Sequence, residues 1–164
     1  MFDKFGNFDS FEAINEAAWN QLAQKDYEAI REIAAENGID PEDAEDFISG
    51  DTDKLCTILS AALGKLAIEE KELKIGGLML DWLNYLQVLC TENREFSKAV
   101  RRTDKTLAGA LGAVLKDAFE SRNPVDEKIV SAAGIKINGR VDFGVPREAR
   151  VRNLLREYYL GGAA

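Results

Sequence analysis

The side chains of this chain that are able to do chemistry are carboxylates, cations and two cysteines; histidine is absent. Without histidine there is no imidazole base, and no Ser-His or Cys-His nucleophile pair can be assembled. A zinc site built on two cysteines would need histidine or further cysteine. Cys56 and Cys90 lie in apolar runs ("KLCTIL", "QVLCTE") and read as small buried hydrophobes. The densest carboxylates are Asp40, Glu42, Asp43, Glu45, Asp46, Asp51 and Asp53. Calcium would need alternating oxygen ligands, but "DPEDAEDFISGD" carries Phe47 and Ile48 inside the loop and a misplaced glycine. "GALGAV" follows helical residues rather than a strand and lacks the Lys-Ser/Thr of a phosphate loop. The remaining carboxylate pairs sit beside lysines at helical spacing, where salt pairing explains them. No catalytic residue, metal site or cofactor is expected, and the chain is read as a non-enzyme.

That leaves surfaces. Arg94, Lys98, Arg101, Arg102 and Lys105 fall within a dozen residues, and a continuing helix would gather them on one side. Such a basic strip suits phosphates, which Lys and Arg neutralise with release of counterions, or it balances the chain's own carboxylates. Arg147, Arg150, Arg152 and Arg156 form a second basic group. The carboxylates of 40–53 form the opposite candidate: a rigid acidic face imitates nucleic-acid phosphates and is steered toward cationic grooves.

The elements positioning these groups are helical. "DSFEAINEAAWNQLAQ" opens with Asp9 as N-cap and Glu12 three residues on, in a capping-box arrangement. "DYEAIREIAAENG" aligns Tyr27, Ile30, Ile33 and Ala34 and ends at Asn37-Gly38. Asp40, Pro41 and Gly50 bracket a short third helix. "DTDKLCTILSAALGKLAIEEKEL" is a fourth, broken from the next at Gly76-Gly77. "LMLDWLNYLQVLCTEN" is apolar nearly all round, as central helices are. "REFSKAVRR" is short and basic, and Thr103-Asp104 turns the chain into "KTLAGALGAVLKDAFES", with Leu107, Leu111, Val114, Leu115 and Ala118 inward. Gly109 and Gly112 share a side and suggest close approach of another backbone. "VDEKIVSAAG" is a further short helix. "IKINGRVDFGVP" alternates about Asn138-Gly139, a two-residue hairpin signal. A last helix follows Pro146 with Val151, Leu154, Leu155, Tyr158 and Leu160 inward, and "GGAA" reads as a frayed end.

The expected fold is therefore mainly α: a multi-helix bundle with a small β-hairpin near 135–143. Charge divides it. Residues 1–53 hold fifteen carboxylates against Lys4, Lys25 and Arg31, and residues 54–164 hold eighteen cations against fourteen carboxylates, giving −12 and +4 of the total −8. An acidic front module over 1–53 and a helical body over 54–164 are expected, within one continuous domain or as two. No segment has the ~20 apolar residues of a membrane span, and the acidic opening does not resemble a targeting peptide. Both point to a cytoplasmic protein with no membrane partner.

At "REFSKAVRRTDKTLAGALGAVLKDAF" the sequence resembles PcfK-like proteins of conjugative and other mobile elements, a family that overlaps Cas9-inhibiting anti-CRISPR proteins. The matching residues are Lys105, Thr106, Leu107, Gly109, Ala110, Leu111 and Leu115, then Val125, Asp126 and Ile129 after the break. The opening "MFDKFGNFDSFEAINE" is similar to the acidic N-terminal extension of some members, and members often have Cys where Ala110 stands. The resemblance spans about residues 80–160 and implies a small helical protein that acts by binding. In the anti-CRISPR version the partner is a Cas9-type nuclease, whose nucleic acids run in a positively charged channel, and target-DNA binding or cleavage is hindered. In the conjugation version the protein is a nucleic-acid-binding or protein-interaction accessory factor in DNA transfer. Self-association through the Gly109/Gly112 side or the tyrosine-bearing last helix is a third reading. The resemblance carries no residue-level site.

Overall fold

The computed structural model describes residues 4–161; most of the "GGAA" tail lies outside the described residues. The described residues fold into α1 (Phe11–Gln24), α2 (Tyr27–Glu36), α3 (Pro41–Ser49), α4 (Ile58–Leu73), α5 (Leu78–Glu92), α6 (Arg94–Arg101), α7 (Leu107–Glu120), α8 (Glu127–Ala132) and α9 (Glu148–Leu160), with short strands β1 (Asn123–Pro124) and β2 (Asp142–Phe143). The fold is the mainly α bundle that periodicity demands.

Helix starts follow side-chain oxygens that satisfy first-turn N–H groups, though not always those expected. Ser10, not Asp9, caps α1 by accepting from the Ala13 N–H; Asp9 is used elsewhere. Helix α4 begins only at Ile58, where Thr57 and Ser60 form a reciprocal capping box, so 51–57 is an irregular connector. Thr106, rather than Thr103 or Asp104, caps α7. Asp40 caps α3 as expected, with Pro41 in the first turn and Gly50 left-handed after its end.

Two hydrophobic clusters fill the interior. The first joins α1, α2 and α3 through Ile14, Ile30, Ile33 and Phe47, and takes in Leu55, Cys56 and Ala61. The second joins α4–α7 and α9 through Leu66, Trp82, Leu86, Phe96, Leu107 and Leu155. Helix α4 serves both, with Ala61 in the first and Ala62 in the second. Beside these, a Cβ on Gly64 would stand 2.6 Å from the carbonyl oxygens of Asn37 and Gly38, so the α2–α3 turn rests directly on the α4 backbone. Asn15 ties the connector down: its amide accepts from the Cys56 N–H at 3.0 Å and donates to the Cys56 carbonyl at 2.9 Å.

Several inward assignments shift. Tyr27, Leu115 and Leu160 are exposed, and Tyr159 is buried in α9. Gly109 is approached by the Tyr158 phenol rather than by backbone, and the Cβ direction of Gly112 is open. The small antiparallel pair exists, but β2 pairs with β1, Asn123 opposite Phe143, rather than with Ile135–Ile137. Asn123 and Pro124 lie one turn past α7, and the Val125 N–H extends the pairing to the Val141 carbonyl at 2.8 Å.

Candidate functional site

The acidic face is built on α3 and its flanks. Asp40, Glu42, Asp43, Glu45, Asp46, Asp51 and Asp53 are all exposed. The two buried residues of α3, Ala44 and Phe47, face the first cluster, which turns the intervening carboxylates to solvent. Trp19 holds Phe47 edge-on at 5.2 Å between ring centroids. Three of the seven carboxylates have local partners. Asp40 accepts from the Glu42 N–H, Asp51 from the Ser49 hydroxyl, and Glu45 forms a fork with Arg31 at 2.6 and 3.1 Å. That fork, a charge-assisted hydrogen bond, holds the Glu45 carboxyl below its usual range. Among the described residues, every ion pair of residues 4–53 stays within that segment, on Lys4 or Arg31.

The basic strip does not survive as one surface. Helix α6 ends at Arg101 and the chain turns outward at Arg102. Arg101 is 1% exposed. Its guanidinium donates to the side-chain oxygens of Asn37 and of Asn7, the latter at 2.7 Å, and lies 3.5 Å from the Ala61 carbonyl. It is therefore a strut between module and body and not a contact residue, a correction forced by α6 packing: Phe96 and Val100 face the core, and Arg101 follows on the same buried side. Arg102 forks onto Asp104 at 3.0 and 2.7 Å, Lys98 pairs with Glu95 at 3.1 Å, and Lys105 lies over the Tyr158 ring. Arg94 stays exposed. In the second basic group, Arg150 is paired with Asp117 and Arg152 with Glu148 and Glu92.

Further polar groups, in roles unmarked in the sequence, are fixed within the body and across its junction with the module. Lys65, 3% exposed, donates to the carbonyls of Val100, Arg102 and Lys105, and so satisfies acceptors that helix geometry leaves open at the α6 C-terminus and one in the turn before α7. Glu69 lies 3.8 Å from the Lys65 amine and accepts from the Leu107 N–H at 2.6 Å. Burial pushes both the Lys65 amine and the Arg101 guanidinium below their usual values. Asp9, freed from capping α1, accepts from the N–H and hydroxyl of Thr103 at 2.8 and 2.9 Å. Glu36 gathers the N–H groups of Lys4, Phe5 and Gly6, which pins residues 4–9 across the module as a strap. A signal existed for Lys65, which follows the buried Ala61 by one helical turn; Asn7 and Asn37 carried none.

Burial pushes the Cys56 and Cys90 thiols up to about 12, so both are held neutral and unreactive. No group of metal-ligating side chains occurs among the described residues, and none of the described helices is long and apolar enough to cross a membrane. Comparison with protein-family models, curated proteins and solved structures returns no match.

Proposed function

We propose that the protein acts by binding, with the carboxylate face of 40–53 docking into a cationic groove of a nucleic-acid-handling protein. The observation that carries this reading is seven exposed carboxylates, four on α3 and three on its flanks, over the buried Ala44 and Phe47, none of them joined to a cation of the body among the described residues. Apart from Glu45, which Arg31 neutralises, these carboxylates keep their charge free to steer association with a positive partner. The resemblance at Lys105–Leu115 supplies the partner class: an RNA-guided nuclease of the Cas9 type, whose loading channel is positive. The protein would occupy that channel in place of nucleic acid and hinder target-DNA binding or cleavage, from within the cytoplasm. The accessory role in DNA transfer is the alternative, and it is less supported because Arg101 is buried and Arg102 is committed to Asp104.

A cleavage assay with purified Cas9 and guide RNA tests this. The wild-type chain added before target DNA is expected to suppress cleavage, and the variant Glu42→Lys/Asp43→Lys/Asp46→Lys/Asp53→Lys is expected to lose suppression with its helix content unchanged. Undiminished cleavage with the wild-type chain, or equal suppression by the variant, contradicts the reading.

A further inference from the structure

The segment that joins α7 to α9 stands outside both cores. From 119 to 150 no residue is buried, and neither hydrophobic cluster takes a member from it. The segment is nonetheless seated. A Cβ on Gly144 would stand 2.6 Å from the Ala118 carbonyl oxygen, and Asp142 pairs with Arg122 and Arg140. Strand alternation turns Gly144 and Asp142 to that support and Val141 and Phe143 away from it. On the side turned away, a groove of about 790 Å³ opens between α8 and the ribbon, lined by Val125, Val130, Ile135, Ile137 and Val141. Phe143 lies two residues beyond Val141 and is 68% exposed, the barest large apolar side chain among the described residues. A knob and a groove thus lie side by side on one face.

We propose that this face pairs with a second copy of the chain about a two-fold axis, Phe143 of each entering the groove of the other. A two-fold contact requires one patch to carry both the projecting group and its receptor, and this patch does. Charge fits the same occupant. Residues 123–146 hold Lys128, Lys136 and Arg140 against Asp126, Glu127 and Asp142, and are neutral within a chain of −8. Of these six, only Arg140 and Asp142 are in an ion pair among the described residues, so each copy offers both signs to the other. The face also lies at the end of α7 remote from the junction with the acidic module. Fourteen residues of helix carry the chain about 21 Å, and repulsion between two acidic modules is weakest there. A phenylalanine so exposed leaves on the order of 100 Å² bare. With Ile135 and Ile137, about half exposed, the face reaches the few hundred Å² that mark a contact on a monomer. It falls short of the roughly 800 Å² per partner of a stable interface, so the pairing is weak and depends on concentration. The inference is independent of the acidic face.

Sedimentation velocity of the full chain over a concentration series tests this. A single monomer–dimer equilibrium is expected, with a dissociation constant on the order of 10–100 µM. Phe143→Asp and Ile137→Asp are each expected to weaken it about tenfold or more. Both positions are exposed, and an unchanged melting temperature verifies that the variants are folded. Leu160→Asp, at an exposed apolar position at the opposite end of α9, is expected to leave the equilibrium unchanged. The carboxylate-face variant is expected to dimerise at least as well as wild type, which separates this result from the fate of the Cas9 reading. The proposal is overturned by a monomer at every concentration, which leaves the face to a different protein, or by equal dimerisation of the Phe143→Asp chain. Loss of the dimer in Leu160→Asp also overturns it and moves the contact to the tyrosine-bearing helix. Growth beyond the dimer overturns it as well, because a closed two-fold pair leaves no copy of the face free.

Discussion

Arg101 and Arg102 are neighbours in sequence and opposites in energetics. Arg101 is enclosed by Asn7, Asn37 and Ala61. Its truncation strands buried carbonyl oxygens and opens a cavity, the mechanisms that give large losses. Arg102 forms a pair with Asp104 in which both side chains are more than half exposed, and such pairs contribute roughly 0–1 kcal/mol. Arg101→Ala is therefore expected to cost about 3 kcal/mol and Arg102→Ala less than about 1 kcal/mol, read from urea midpoints at constant slope. Equal losses would contradict the strut assignment. No sequence argument separates the two arginines, because their fates depend on where α6 ends and on side chains that meet Arg101 from more than sixty residues away. The carboxylates of α3 were legible for the converse reason: their exposure follows from the local positions of Ala44 and Phe47 within one helix.

At the scale of elements, α4 is held against the α2–α3 turn by backbone contact at Gly64. A methyl there must displace the carbonyls of Asn37 and Gly38, and overpacking of this kind costs typically 1–3 kcal/mol. Gly112 has open space at its Cβ direction, so an alanine gains helix propensity of up to about 1 kcal/mol. Thermal denaturation is expected to show a lowered midpoint for Gly64→Ala and an unchanged or raised one for Gly112→Ala. The reverse order would place the close contact where the Gly109/Gly112 spacing had suggested it. Spacing within one helix records small residues but not which of them meets a second segment, so it points to the Gly109/Gly112 pair and not to Gly64. The strand pairing failed to show in sequence on similar grounds. Asn138-Gly139 encodes a local turn, while the partner of β2 comes from beyond α8. The strap has its own pH signature. Burial opposes ionisation of Glu36, but the N–H groups of Lys4, Phe5 and Gly6 outweigh it and hold the carboxyl below its ordinary 4.5. A carboxyl depressed in the fold contributes stability that is present above the unfolded value and lost as pH falls through the folded one. Hydrogen exchange at Phe5 and Gly6, corrected for intrinsic rates, is expected to lose protection from about pH 4.5 downward while α5 amides keep theirs. Glu36→Gln is expected to lower that protection already at neutral pH; protection that falls in step at both sites would contradict the anchoring role.

Taken as a whole, the molecule keeps its charges apart. The helices were readable because apolar periodicity is a local signal, and the −12 and +4 of the two segments could be counted directly. Whether the body's cations would fold onto the acidic segment was not readable, since that depends on the docking of one module on the other. The junction is made with Asn7, Asn37, Asp9, Thr103 and the buried Arg101, and the carboxylates of α3 take no part in it. Polarity therefore survives folding, and the proposed recognition by charge rests on it. The most direct measurement is the association rate with immobilised Cas9 over a range of ionic strength, for the wild-type chain and for Glu42→Lys/Asp43→Lys/Asp46→Lys/Asp53→Lys. The account predicts fast wild-type association that falls steeply with salt and a variant that is slow and nearly indifferent to salt. Identical rates and identical salt dependence for the two proteins would contradict it.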